Sequence, residues 1–155
     1  MQNIRIISVG KLRVPHWKQA AMAYANRLHR GYALAETIIK DGDASLAPGE
    51  RSAVEATRIL QAIKGGEFVI CLDETGDALS SETFATLLQN CFEGARTPCF
   101  IIGGAYGLTD TVRNKAARII SFGPMTFPHE LARVLLLEQL YRADAIIHNR
   151  PYHHA

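Results

Sequence analysis

The residues best equipped for chemistry gather at the end of the chain: His129, Arg142, His148, Arg150, Tyr152, His153 and His154. Histidine moves protons near neutrality. Arginine holds phosphate or developing negative charge, and a phenol can donate or accept a hydrogen bond. A metal site would need ligands in pattern, and these histidines lack zincin spacing and Cys or Glu partners, so no metal is expected. Terminal residues usually fray. A tail this rich in aromatic, cationic and titratable groups points to an active site completed by the C-terminus, near a subunit contact.

No G-x-S-x-G elbow, Cys/His signature or pair of catalytic carboxylates is present. Covalent catalysis is therefore not indicated, and positioning of a reactive cofactor is. Two loops could hold one. Gly103-Gly104-Ala105-Tyr106-Gly107 follows an apolar run; glycines there let backbone approach a ligand, although neither a Walker loop nor G-x-G-x-x-G is present. Phe122-Gly123-Pro124-Met125-Thr126-Phe127-Pro128 combines Gly and two prolines on an irregular path. With apolar Met125 and Phe127 alternating, this loop is expected to be half-buried. Its unladdered backbone groups then suit a flat heterocycle such as adenine.

Strand and helix signals alternate. Strands are expected over Ile4–Val9, Tyr32–Ile39, Phe68–Leu72, Cys99–Ile102 and Ala117–Phe122. Helices are expected over Trp17–Arg30, Glu50–Ile63, from Ser80 or Ser81 to about Phe92, over Leu108–Lys115, and from His129 onward. Strands apolar on both faces imply a parallel or mostly parallel sheet covered by helices, a single α/β domain over residues 1–155. Ligands in such sheets bind beyond the carboxyl ends of the strands. That singles out Leu72–Gly76, Gly103–Gly107 and Phe122–Pro128 as loops. The last helix is apolar nearly all round, which a small domain has little room to bury, so a homodimer is expected. Glu138 and Arg142 form an i,i+4 pair on it.

Of 155 residues, 48% are hydrophobic and 21% charged, with a formal net charge of +2. No run approaches a membrane span, and MQNIRIISVG lacks the features of a signal peptide. Cys71, Cys91 and Cys99 are an odd number at unpatterned spacing and read as buried hydrophobes in a reducing cytosol. Lys11, Arg13, His16, Lys18, Arg27, His29 and Arg30 crowd the first thirty residues, where no acid occurs. Such a cluster suits phosphate.

LDETG (Leu72–Gly76), IIGGAYGL (Ile101–Leu108), MTFPHELARVLLLEQLYRA (Met125–Ala143) and NRPYH (Asn149–His153) together resemble the ribosomal large subunit methyltransferase H family, of the SPOUT class. The resemblance spans the chain from SVG at its first strand to the terminus. It implies an α/β fold with a C-terminal deep trefoil knot, an exception to usual connection rules. It also implies a cytoplasmic homodimer and S-adenosyl-L-methionine as cofactor. The implied reaction is methylation of N3 of a pseudouridine in 23S rRNA, within the ribosome. By position, Leu72, Gly103, Gly104 and the loop Gly123, Pro124, Met125, Thr126, Phe127 and Pro128 would bind the cofactor. His129, Arg142, Tyr152 and His153 would form the catalytic, substrate-facing side, with the tail reaching in from the other subunit. One departure stands out: the family commonly ends with a basic residue after PYH, where this chain has His154 and Ala155. Two other readings remain open, a non-catalytic RNA-binding protein of the ribosome and a SPOUT methyltransferase acting on tRNA.

Overall fold

A computed structural model describes residues 1–154. Five strands form one sheet in the order β2-β1-β4-β3-β5: β1 (Gln2–Val9), β2 (Tyr32–Ile39), β3 (Glu67–Ala78), β4 (Thr97–Ile102) and β5 (Arg118–Ser121). Every pairing is parallel. The helices are α1 (Pro15–Leu28), α2 (Pro48–Ala62), α3 (Ser81–Glu93), α4 (Asp110–Lys115) and α5 (His129–Ile147). The expected elements all form. Ser80 caps α3 by accepting the Thr83 N–H at 3.1 Å, and α5 begins at His129.

Alternation along β1 divides the core in two. Ile4 and Ile6 face α1, α3 and α5, joined by Ile70, Phe100 and Ile102. Ile7 and Val9 face the opposite layer, where Ile59 of α2 and Val112 of α4 close over Cys71, Cys99 and Ile101. Such central strands, dry on both faces, are why β1 and β4 read as continuous apolar runs. All three cysteines are free and buried. Burial pushes the Cys71 and Cys99 thiols up to about 12, so neither supplies a thiolate near neutrality.

Two expectations need correction. The third strand does not stop at Leu72. It bulges through Asp73–Gly76, then pairs again with β5 through Asp77 and Ala78. Polar residues ending an apolar run look like a loop, but the parallel ladder resumes because Gly76 lets the backbone lie against β5. A Cβ there would sit 2.6 Å from the Ile119 carbonyl carbon. Secondly, α5 hides most of its apolar surface within its own chain. It lies against both α1 and α3 over the sheet, and Leu136, Leu137, Leu140 and Ala143 are fully buried. Leu131 and Leu135 remain half-buried, a smaller surplus than a helix apolar all round implied.

α1 and α5 run side by side in the same direction. Near their starts, Glu130 accepts the backbone N–H groups of Arg13 and Val14, the latter at 3.0 Å. Toward their ends, the rings of Tyr24 and Tyr141 lie 6.3 Å apart. Whatever α5 carries at its two ends is therefore held at a fixed separation.

Candidate functional site

Beyond the carboxyl ends of β3, β4 and β5 lies a cavity of about 640 Å³, in the size range of small-molecule sites. Its floor includes Leu72, Ile102, Leu108 and Ile120; Gly103, Gly104 and Tyr106 form one wall, and Phe122, Gly123, Met125, Thr126 and Phe127 another. His129, at the start of α5, lines it too. Most residues singled out for cofactor binding thus converge here. Pro124 and Pro128 do not line it; they shape the loop's path.

The glycines are demanded by packing. A Cβ on Gly103 would lie 2.8 Å from the Gly107 carbonyl carbon, and one on Gly104 would lie 2.9 Å from Glu55 Oε1 and 3.0 Å from Val9 Cγ1. The turn is drawn in further by the Gly107 N–H donating to the Gly104 carbonyl at 3.1 Å. Glu55, buried with Oε1 unpartnered, backs this wall and accepts the Gly42 N–H at 2.9 Å through Oε2.

The opposite loop corrects a burial expectation. Phe127 is half-buried as expected, but Met125 is 75% exposed. At Gly123, φ is +117°, and the Ser121 hydroxyl both accepts the Gly123 N–H at 2.9 Å and donates to its carbonyl at 2.7 Å. This turn throws Pro124–Thr126 outward, so alternation carries no burial meaning there.

Sequence reasoning missed the acidic rim. Asp73, Glu74 and Asp110 line the cavity against a single arginine, Arg113. That arginine is engaged by Asp73 at 3.1 Å, by Asp110 and by the Leu108 carbonyl. Burial alone would raise the Asp73 carboxyl, but hydrogen bonds from Thr75 and Arg113 outweigh it and hold the group below its ordinary value. The rim is therefore anionic near neutrality. Glu74 also accepts the Thr126 hydroxyl at 2.9 Å, tying two walls together. The motif LDETG held the signal, since two acids directly follow the apolar run that ends at Leu72.

The remaining singled-out residues assemble elsewhere. Arg142 donates through Nε to Glu138 at 3.0 Å, and the Tyr152 hydroxyl donates to the same Glu138 oxygen at 3.0 Å. His153 Nδ1 lies 3.4 Å from Arg142 and its Nε2 lies 2.7 Å from Glu82. Arginine can only donate, so Nδ1 accepts and Nε2 carries the proton toward Glu82. Glu82 is held below its ordinary value by a hydrogen bond from its own backbone N–H and by His153. Tyr152 stacks edge-on against Tyr141 at 4.7 Å. Burial, then hydrogen bonding with Tyr24 and Glu138, pushes its phenol well above the usual range. Tyr152 is therefore an O–H donor near neutrality and not a base. Glu82 and Tyr24 are members of this cluster that sequence reading left out, and Glu138, read there as the partner of Arg142, also holds Tyr152.

In one chain, then, His129 and the Arg142–Tyr152–His153 cluster do not meet. Arg142 lies thirteen positions after His129 on α5, about 20 Å along the axis at 1.5 Å per residue. His154 is exposed, and Ala155 lies outside the described residues. Among the described residues, no group of three or more His, Cys, Asp or Glu could hold a metal ion, and no helix is long and apolar enough to cross a membrane.

Comparison with known proteins agrees with this geometry. Residues 2–153 match the family described as Predicted SPOUT methyltransferase. Among relatives, the chain is 54% identical over 155 residues to a ribosomal RNA large subunit methyltransferase H from Oleidesulfovibrio alaskensis, covering 99% of this chain and 100% of that protein. It is 51% identical, with the same coverage, to the protein of that name from Nitratidesulfovibrio vulgaris. Solved structures share the fold at low identity. A probable methyltransferase from Bordetella pertussis superposes with a TM-score of 0.60 at 16% identity, over 92% of this chain and 96% of that one. The SpoU methyltransferase AviRb from Streptomyces viridochromogenes, solved with AdoMet, gives 0.50 at 13%, over 92% of this chain and 58% of that one. A parallel sheet with its cavity at the strand ends, a glycine wall and a full-length family match lead to one conclusion: this chain belongs to the SPOUT methyltransferase family.

Proposed function

We propose that the protein transfers a methyl group from S-adenosyl-L-methionine to N3 of a pseudouridine in 23S rRNA on the assembled ribosome, acting as a cytoplasmic homodimer with a knotted C-terminal half. The observation that carries the mechanism is the 20 Å division of α5 into two half-sites. Full-length relatives at 51% and 54% identity bearing the large-subunit rRNA methyltransferase name support the substrate.

The cavity's residues fit the cofactor. An apolar floor of Leu72, Ile102 and Ile120 suits adenine, packed glycines leave the backbone bare, and the Asp73–Glu74–Asp110 rim suits a ligand carrying positive charge. Bound there, the cofactor would supply its methyl group as an electrophile on a sulfonium. Everything else falls to the chain. His129 at the cavity is one proton acceptor within reach of a base placed there. Arg142, held protonated by Glu138, can take up the negative charge that an imide develops as it loses its proton. Tyr152 donates a hydrogen bond and serves positioning. His153 becomes a second proton acceptor only through Nδ1, by giving up its 3.4 Å contact with Arg142. A second copy, bringing its tail cluster against this cavity, unites the groups that one chain keeps apart. Holding them in place supplies several kcal/mol of the barrier.

The test is methyl transfer from labelled cofactor to assembled ribosomes, free 23S rRNA and tRNA in parallel. Methylation of ribosomes at a pseudouridine N3 is the expected result. Transfer to tRNA alone would favour a different substrate, and cofactor-free RNA binding without transfer would favour a non-catalytic role.

A further inference from the structure

At the far end of α1 and α5 from the cavity lies a second recess, of about 540 Å³. The basic N-terminal cluster is not one face. Lys11 and Arg13 sit in the loop after β1, near His129, while Arg27 and Arg30 lie at the end of α1, about 20 Å away along the helix. There they meet the C-terminal segment, and Arg27, Arg30, His148 and Arg150 line one recess. Only Arg150 and His148 have an acid to answer to, the buried Asp144, which also accepts the Tyr32 hydroxyl at 2.8 Å. Arg27 and Arg30 have no carboxylate partner among the described residues. Arg27 lies instead over the rings of Tyr24 and Tyr141, 5.5 and 5.3 Å from their centroids. Tyr141 is the ring on which Tyr152 packs, so the recess and the tail cluster are contiguous.

We infer that this recess is a phosphate-binding groove for the RNA strand that carries the target base, with Arg27 and Arg30 as its contacts and the Tyr141–Tyr152 pair as the bridge to the reacting base. The inference rests on the proposed rRNA substrate and assigns where the flanking backbone lies. Unpaired guanidinium groups beside a fixed anion-filled arginine make a cationic surface with planar donors, which matches phosphate oxygens. Asp144 consumes the charge of Arg150 and so fixes that wall in place, leaving Arg27 and Arg30 free to neutralise a polyanion.

The experiment measures binding of the full-length protein to purified ribosomes by sedimentation between 50 and 200 mM salt, a span over which phosphate contacts report strongly. Arg27→Gln combined with Arg30→Gln should weaken binding roughly 10- to 30-fold near 0.1 M salt and flatten the log–log salt slope by about 1.4, the share of two single-strand phosphate contacts. The Arg27→Lys, Arg30→Lys variant keeps the charges and should keep most of the slope. Cofactor affinity by calorimetry reports that the distant cavity is intact. Arg150 is avoided because its loss would strand the buried Asp144 charge. An unchanged slope, a loss equal at every salt concentration, or a change of oligomeric state on mutation would each overturn the groove. Failure of the wild type to methylate ribosomes would instead defeat the proposed function, and the groove would still be judged by the binding slope alone.

Discussion

The two ends of α5 are built on different principles. At its start, His129 opens onto a cavity whose walls are backbone: glycines that tolerate no side chain, a Ser121–Gly123 turn, and the bulge of β3. At its other end, side chains hold side chains. Glu138 gathers Arg142 and Tyr152, and His153 sits between Arg142 and Glu82. A backbone-walled pocket suits a small ligand of one fixed shape, exchanged at each turnover. A side-chain cluster on a tail suits a large substrate that is gripped only at its surface. The lesson is that the helix works as a ruler, keeping apart in one chain what a dimer would join.

The sharpest way to break this contrast is at Gly103. Gly103→Val puts atoms where the Gly107 backbone already lies. Displacing that wall by about 1 Å should cost on the order of 10²-fold in methyl transfer. Calorimetry should show cofactor binding lost with it. If binding survives, the glycine wall is not the cofactor site.

The opposite end should fail differently. A chain ending at Pro151 keeps Arg150 on the buried Asp144 but lacks Tyr152 and His153, and its methyl transfer should fall by roughly 10²- to 10⁴-fold, the worth of positioned acid–base groups. Its cofactor binding should be preserved. Parallel loss of both would mean that the tail is structural for the cavity.

Smaller changes refine the picture. Tyr152→Phe removes one hydrogen bond to Glu138 while keeping the ring on Tyr141. About 1 kcal/mol is at stake, or roughly a fivefold loss of transfer, because the phenol donates and does not serve as a base. A loss as large as that of His153→Ala would restore Tyr152 as a proton carrier. At the cavity end, the Asp73 carboxyl is held below its ordinary value. The stability it contributes is therefore full above the unfolded value near 3.9 and is lost as pH falls through the lower folded value. Asp73→Asn should flatten the acid limb of a thermal-melt series, and an unchanged acid limb would show that its bonds to Thr75 and Arg113 matter little.

Much of this was legible beforehand, for identifiable reasons. A helix start at Ser80 or Ser81, another at His129 and the dry central strands are local or periodic signals, and each appears where expected. The glycine wall and the Phe122–Phe127 loop converge because parallel sheets place their ligands beyond the strand ends. What escaped reading depends on long-range pairing. The re-pairing of Asp77 and Ala78 with β5 cannot be seen in LDETG. Nor can the burial of α5 between α1 and α3, which absorbs leucines that seemed to demand a partner. Met125 misled because alternation has meaning only on a ladder. Glu138 was read as half of a pair, and its second role emerged only when the tail folded back to it.

The claim at the centre of this account is that each active site takes its cofactor cavity from one subunit and its tail from the other. Mixing two inactive proteins, Gly103→Val and His153→Ala, after unfolding and refolding together tests it directly. In a two-fold dimer, half the mixed population pairs one of each, and every such pair holds one intact composite site. Methyl transfer to ribosomes should return to roughly a quarter of the wild-type level. If the mixture stays as inactive as either parent, while analytical ultracentrifugation shows mixed dimers, cavity and tail act within one chain and the composite site is wrong.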